Sequence, residues 1–346
     1  MNYTIVVTNK CNLKCSYCYE GEKDYKSMTI ETADYVVDFI RKTLEESKDE
    51  KINIIFHGGE PFLNFNIIKY IKQKIDTDIK SIKHIKYEIT TNGTIMNKDI
   101  IDFIHNENIK LSVSVDGTKV SHNQYRVFHD GKGSYDTVIN NLDILLLNNI
   151  IPRCRMTYSS SNFKELLNGI IELKNRGISL FATSANFYDT LWTKSDIEEL
   201  KLEIDKLIEL SINENLNISM VDKTQICKAQ SDCFGGISSF TIDPNGMIYP
   251  CVFNINNDRF IIGNVYEFSY DKIKKDMYKF HKELYFESVS ICDTCNANEI
   301  CKGSKCKLLN YMVTGMYGNP PAITCNMMKI ELDTYKKIST IREGVY

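Results

Sequence analysis

The sequence predicts an α/β fold, an open, partial (β/α)6 barrel of the TIM type over residues 1–217, followed by a small cysteine-rich domain over residues 218–346. Three observations lead there. In the first part a short β-branched run, a loop loaded with Cys, Gly, Asn or Asp, and an amphipathic helix succeed one another repeatedly, the pattern of a parallel sheet covered by helices. The unusual residues gather in the loops after the first four strands, the rim where barrel enzymes place their chemistry. After about Asn217 the alternation stops, cysteines become dense and a hairpin signal appears.

Taken in order, Tyr3–Thr8 reads as a strand leading into a cysteine loop, Asn9–Glu20. Ile30, Ala33, Val37, Ile40 and Leu44 then recur at helical spacing, with Ser27 or Thr29 as the N-cap. Lys51–Phe56 is the second strand, followed by His57-Gly58-Gly59-Glu60-Pro61 and a helix over about Asn66–Ile75. Ile85–Thr91 ends in Asn92-Gly93 and precedes a helix at Lys98–His105. Lys110–Val115 ends in Asp116-Gly117, with a helix over Tyr135–Leu147. Pro152–Tyr158 and Ile178–Thr183 are the fifth and sixth strands, each with a helical stretch behind it. Six such units fall short of a closed eight-stranded barrel, hence the open form. Further on, Ser239–Ile242 and Met247–Val252 flank a Pro244-Asn245-Gly246 turn as a hairpin, and Met328–Ile341 reads as a closing helix.

Composition removes several function classes. Of 346 residues, 43% are hydrophobic and 25% charged, enough for a sizeable core. Lys and Arg (42) nearly balance Asp and Glu (45), so the basic excess of a general nucleic-acid binder is missing. No apolar run approaches the roughly 18 residues of a membrane span, and Met1-Asn2-Tyr3-Thr4 is not the start of a signal peptide. The expectation is a cytoplasmic protein that binds neither nucleic acid nor membrane. Twelve cysteines in such a chain point to metal sites rather than disulfides.

Cys11, Cys15 and Cys18 form C-x3-C-x2-C. A cubane iron–sulfur cluster is normally held by four thiolates, so three with no close fourth leave one iron open to a substrate or cofactor. A three-thiolate zinc site and plain buried thiols are the alternatives at this point. The neighbours are Tyr17, just before the third cysteine, and Gly58-Gly59-Glu60-Pro61 after the second strand. With these the chain resembles the radical S-adenosylmethionine (SAM) enzymes. The resemblance implies a [4Fe–4S] cluster on Cys11, Cys15 and Cys18 whose free iron chelates SAM. It implies reductive cleavage of SAM to a 5′-deoxyadenosyl radical, and a Gly58–Pro61 turn that helps bind the SAM amino group. Glycines suit that place because backbone comes close to a ligand where no Cβ intervenes. The likeness extends to Thr91-Asn92-Gly93, to Ser112–Gly117 and to His122-Asn123-Gln124-Tyr125-Arg126, where Asn123 replaces a usual Asp. By that analogy Asn92 belongs to the SAM site, Ser114 meets the ribose and Arg126 the SAM carboxylate.

The C-terminal part carries Cys227-x5-Cys233, Gly246-x4-Cys251, Cys292-x2-Cys295-x5-Cys301-x4-Cys306 and Cys325. Eight thiols fit two four-thiolate sites, while Cys292-x2-Cys295 alone fits half a zinc ribbon equally well. The complete order resembles the SPASM extension of radical SAM enzymes, with one extra residue between Cys301 and Cys306. That resemblance implies two auxiliary [4Fe–4S] clusters, one on Cys227, Cys233, Cys251 and Cys306, the other on Cys292, Cys295, Cys301 and Cys325. Cys154, left over on the fifth strand, reads as a buried apolar residue.

SPASM-bearing relatives mostly modify peptides or proteins. The expected function is therefore a thioether or carbon–carbon cross-link in a ribosomally made peptide, with a flavodoxin- or ferredoxin-type electron donor. The rival is an anaerobic sulfatase-maturating enzyme, which oxidises Cys or Ser to formylglycine. In that group an aspartate following the Gly-x4-Cys cysteine resembles a general base; here the place is Val252, which cannot take a proton, leaving Asp243 or another carboxylate. Many cross-linking relatives carry an N-terminal leader-recognition domain, for which residues 1–10 leave no room, so the expectation is a leader bound by a separate leader-recognition protein or by the barrel itself, or a substrate without a leader. A zinc or iron–sulfur scaffold without turnover is the remaining alternative.

Overall fold

The computed structural model describes residues 1–21, 25–47, 49–79, 84–222, 233–285, 290–301 and 306–342. In chain order the strands are β1 (Asn2–Thr8), β2 (Lys51–Gly58), β3 (His84–Thr91), β4 (Lys110–Ser114), β5 (Arg153–Tyr158), β6 (Leu180–Ala185), β7 (Asn217–Ile218), β8 (Ser239–Ile242), β9 (Met247–Tyr249) and β10 (Gly263–Asn264). The principal helices are α1 (Ile30–Ser47), α2 (Phe65–Asp78), α3 (Lys98–Asn106), α4 (Lys119–Tyr125), α5 (Tyr135–Leu147), α6 (Leu166–Asn175), α7 (Lys194–Asn213), α8 (Tyr270–Tyr285), α9 (Lys307–Thr314) and α10 (Ala322–Arg342). The expected α/β class, a parallel β/α core with a smaller cysteine-rich C-terminal region, is borne out.

The chain forms two compact units. The first comprises Met1–Ser112, Phe128–Gly131 and Phe234–Lys282. Its strands lie in the order β10-β9-β8-β1-β2-β3, with β1, β2 and β3 parallel. Alternation explains β2: Ile52, Ile54 and Phe56 are buried while the residues between them are not. β8 adds to β1 in parallel and β9 turns back antiparallel, the expected hairpin. Tyr3 of β1 stacks on Phe240 of β8 at 5.9 Å between ring centroids, and Phe39 of α1 meets both edge-on. The apolar stripe of α1, including Ala33, Val37, Ile40 and Leu44, is buried as its spacing requires. Of the two candidate caps, Thr29 serves: its hydroxyl accepts from the Thr32 N–H at 3.1 Å, while Ser27 pairs with Thr8.

The second unit comprises Val113–Val127, Lys132–Cys233 and Glu283–Tyr346. Here β5, β6 and β7 are parallel, and Val138, Ile139, Leu142 and Leu145 of α5 are buried. α7 opens with a capping box between Thr193 and Asp196, and its Asp205 is ion-paired to Lys337 of α10. Cys154 is fully buried as expected, and burial pushes its thiol up to about 12.

Several elements exceed the sequence reading, in which β10, α8 and α9 have no counterpart. β7 has two residues and α4 seven, too few for a periodic signal. α10 begins at Ala322, six residues before the expected start and directly after Pro320-Pro321, and so takes in Cys325. Among the described residues no helix is long and apolar enough to cross a membrane.

Candidate active site

The loop after β1 carries Cys11, Cys15 and Cys18, all half-buried and none of them in a disulfide. It is strapped down inside the first unit from several sides. The Asn9 N–H donates to the Lys26 carbonyl at 2.8 Å, Leu13 bridges to Phe128, and the His129 ring nitrogen Nε2 meets the Cys11 carbonyl at 3.0 Å. Within the loop the Cys18 N–H donates to the Cys15 carbonyl at 3.2 Å. Tyr17 is half-buried between them.

Gly58-Gly59-Glu60 forms the next strap. The Gly59 N–H donates to the Thr8 carbonyl at 2.9 Å and the Glu60 N–H to the Lys10 carbonyl at 2.8 Å. A Cβ on Gly58 would collide with the Thr8 carbonyl oxygen, and one on Gly59 with the carbonyl oxygens of Asn9 and Lys10. The glycines are therefore required by the cysteine loop itself, which lies directly on them, a nearer cause than the approach of a ligand. Pro61 starts the short helical turn Pro61–Asn64.

Glu60 is fully buried. Its carboxylate accepts from the Thr91 hydroxyl at 2.7 Å, the Asn92 N–H at 2.7 Å and the Phe62 N–H at 3.2 Å, pinning the end of β3 to the end of β2. The Asn92 side chain reaches the cysteine loop: its Nδ2 donates to Asn12 Oδ1 at 2.9 Å and to Cys11 Sγ at 3.7 Å. The Leu13 N–H also donates to Cys11 Sγ, at 3.4 Å. Beside the loop, the Tyr19 ring packs on Phe253 at 5.3 Å between centroids, and its hydroxyl lies 3.5 Å from His57 Nε2. His57 Nδ1 accepts from its neighbour's N–H, that of Gly58, at 2.8 Å. The loop that bears Cys251 is thus docked on the loop that bears Cys18, and Asn256 Nδ2 donating to the Glu20 carbonyl at 3.2 Å adds a second link.

In the second unit Ser114 is half-buried at the end of β4. Arg126 follows α4, and its guanidinium is paired with buried Asp116, Nε to Oδ2 at 2.8 Å and Nη2 to Oδ1 at 3.3 Å. Asp116 Oδ1 also accepts from the Thr157 N–H at 2.9 Å. His122, fully buried, accepts at Nδ1 from the Asp116 N–H and lies 2.9 Å from Ser134 Oγ through Nε2. Burial holds its imidazole down to about 4, against a smaller opposite pull from Asp116, so it is neutral at pH 7.

Of the C-terminal cysteines, Cys292, Cys295, Cys301 and Cys325 all belong to the second unit. The Cys325 thiol is pushed up by burial and then by the neighbouring Cys301, Cys292 and Cys295, which places the four sulfurs in one electrostatic neighbourhood. Cys233 and Cys306 lie in the same unit, Cys306 as the N-cap of α9, whereas Cys251 lies in the first. Cys227 lies outside the described residues. Three residues after Cys251, Asn254 is fully buried and neither polar atom of its amide has a hydrogen-bond partner.

Residues 5–160 match the Radical SAM superfamily and residues 233–296 the SPASM iron–sulfur cluster-binding domain. An uncharacterized protein of Methanocaldococcus jannaschii, MJ0907, is 31% identical over 204 residues, 58% of this chain and 69% of that protein. The chain belongs to the radical SAM superfamily. It is an enzyme of the radical SAM/SPASM kind, built for SAM radical chemistry. A cysteine-type anaerobic sulfatase-maturating enzyme of Clostridium novyi is 24% identical over 328 residues, covering 85% of this chain and 84% of that one. The solved structure of anSMEcpe with bound AdoMet and the Kp18Cys peptide superimposes with a TM-score of 0.83 at 18% identity, covering 99% of both chains.

The residues of this radical SAM chain suit the groups its architecture implies. Among the described residues no three His, Cys, Asp or Glu side chains converge as for a single metal ion. A cubane distributes its thiolates over separate irons, so its ligands need not converge on one point. The donor sets are all thiols, Cys11 Sγ already receives two N–H donors, and the orphaned Asn254 amide fits a polar group held on the Cys251 side. Asn12, Thr94 and Asp116 were not singled out from the sequence as site residues; their signal, polar residues within two positions of Cys11, Asn92 and Ser114, is too common to select them alone.

Proposed function

We propose that the chain oxidises the side chain of a cysteine or serine in a peptide or protein, in the manner of the anaerobic sulfatase-maturating enzymes. The observation that carries this reading is the end-to-end likeness to anSMEcpe holding AdoMet and a Cys-containing peptide, in which almost the whole of each chain is matched. In this reading residues 1–217 carry the radical chemistry and residues 218–346 two auxiliary clusters, three [4Fe–4S] clusters in all. Cys11, Cys15 and Cys18 would hold the SAM-binding cluster. Tyr17, the Gly58–Pro61 turn, Asn92, Ser114 and Arg126 would shape the SAM site. When bound, that cluster and SAM supply the 5′-deoxyadenosyl radical, which takes a hydrogen atom from the substrate. For cysteine the balance is loss of one Cβ hydrogen atom to that radical, of one electron that an auxiliary cluster would accept and of the thiol proton to solvent, after which water replaces sulfur, leaving an aldehyde and hydrogen sulfide. A flavodoxin- or ferredoxin-type protein of the cytoplasm would supply the reducing electron.

One observation favours the second reading, a thioether or carbon–carbon cross-link in a ribosomally made peptide. Val252 offers no base. Asp243, the substitute named from the sequence, is buried and spent on its own turn: it accepts from the Asn245 and Met247 N–H groups at 2.8 Å each. In that reading a separate leader-recognition protein would present the substrate. Anaerobic incubation with SAM and candidate peptides, read by mass spectrometry, tests both. An aldehyde that traps hydrazine supports the first reading. Loss of two hydrogens without an aldehyde supports the second, and an unchanged peptide in the presence of 5′-deoxyadenosine formation contradicts both for that substrate class.

A further inference from the structure

We propose that Asn92 is a positioning residue for the cysteine-bound cluster: its amide N–H on the Cys11 sulfur raises the reduction potential of the [4Fe–4S] cluster held by Cys11, Cys15 and Cys18. The inference rests on the ligand role of those three cysteines and not on which product the peptide becomes.

The amide orientation is set by a closed ring of hydrogen bonds. Asn92 Oδ1 accepts from the Thr94 N–H at 2.9 Å and from the Thr94 hydroxyl at 2.6 Å. The Thr94 hydroxyl in turn accepts from Asn12 Nδ2 at 2.7 Å, and Asn12 Oδ1 accepts from Asn92 Nδ2 at 2.9 Å. Every donor in this ring meets an acceptor. Turning the Asn92 amide over would set its NH2 against two Thr94 donors and its oxygen against both Asn12 Oδ1 and Cys11 Sγ. The NH2 group therefore faces the sulfur, one hydrogen serving Asn12 and the other directed to Cys11, 3.7 Å away.

The backbone beneath this amide is held as firmly. Glu60, buried at the end of β2, takes the Asn92 N–H on one carboxylate oxygen and the Thr91 hydroxyl on the other. Glu60 thus acts at a distance from the sulfur, by fixing the strand end from which Asn92 projects. Asn92 is only 7% exposed, so water competes little for its N–H. Reduction of an iron–sulfur cluster places added negative charge partly on its sulfurs, and N–H donors to those sulfurs favour the reduced state. A neutral donor at this long separation is expected to be worth about tenfold in the reduction equilibrium, about 59 mV for one electron.

The test uses the full chain, reconstituted with iron and sulfide without oxygen. The electron paramagnetic resonance signal that changes on adding SAM identifies the cluster and is titrated against potential. In Asn92→Leu its midpoint should move down by about 59 mV, with iron content and the auxiliary signals unchanged. Thr94→Val keeps Asn92 but removes the hydroxyl that orients it, and should give a smaller shift of the same sign. An unchanged midpoint in either variant that retains the cluster overturns the inference. So does loss of the cluster in both, since a tuning bond is dispensable for assembly. A shifted midpoint in a protein that makes no aldehyde leaves the inference standing while the peptide reading fails. An aldehyde product with unshifted midpoints gives the reverse.

Discussion

The Arg126 guanidinium lies against the carboxylate of Asp116, Nε 2.8 Å from Oδ2, with the Asp116 side chain wholly out of solvent. The same carboxylate holds the Thr157 N–H, so one acid joins the end of α4 to β5. Removing the charge leaves a guanidinium buried beside a neutral amide. Asp116→Asn is therefore expected to cost about 3–5 kcal/mol, the usual penalty for breaking a buried pair from one side. Denaturant unfolding of wild type and variant at matched cluster content measures it.

His122 gives a pH dependence with a defined sign. Its folded value is lowered to about 4 from an ordinary 6.5, chiefly by burial. Between those values the unfolded chain binds a proton that the folded chain refuses, so stability falls as pH drops from about 6.5 to about 4. The full effect is about 3 kcal/mol. His122→Gln, which cannot titrate, is expected to be less stable than wild type at pH 7 and to show a shallower fall over that window. The difference between the two thermal midpoints at each pH is the measurement, and a constant difference would contradict it.

Gly59 has carbonyl oxygens of the cysteine loop where a Cβ would go. Gly59→Ala should push Asn9 and Lys10 away, disturb the Cys11 end of the loop and reduce the iron held by Cys11, Cys15 and Cys18. The auxiliary iron should remain. Iron analysis combined with the SAM-responsive resonance signal separates the two.

Cys325 stands in α10 beside Cys292, Cys295 and Cys301. Cys325→Ala is expected to lose one auxiliary cluster, leave the SAM-responsive signal in place and lower thermal stability, because ligation ties the preceding loops to this helix. Iron analysis before and after the substitution checks it.

Much of this was legible in the sequence, for physical reasons. β1, β2 and β3 announced themselves as short β-branched runs, alternately buried along β2 and continuously buried over residues 5–8 of β1 and 87–89 of β3, and α1 and α5 because one helix face is apolar. Cys11, Cys15, Cys18 and Gly58–Pro61 stood out because their chemistry is rare and their spacing tight. Less legible were the contacts those residues make. Gly58 and Gly59 looked like room for a ligand, whereas the backbone of the cysteine loop occupies that space. Glu60 looked like a cofactor contact, and its carboxylate secures Thr91 and Asn92. The parallel pairing of β8 with β1 joins segments more than two hundred residues apart, and no local pattern encodes such a partner.

The account depends on an open iron at Cys11, Cys15 and Cys18, and one measurement tests it most directly: 5′-deoxyadenosine released from SAM by the reduced, anaerobically reconstituted chain, beside Cys15→Ala. The wild type should form it and the variant should not, while both keep their auxiliary iron. Stoichiometric zinc with no deoxyadenosine, or a variant that cleaves SAM at the wild-type rate, would contradict the account.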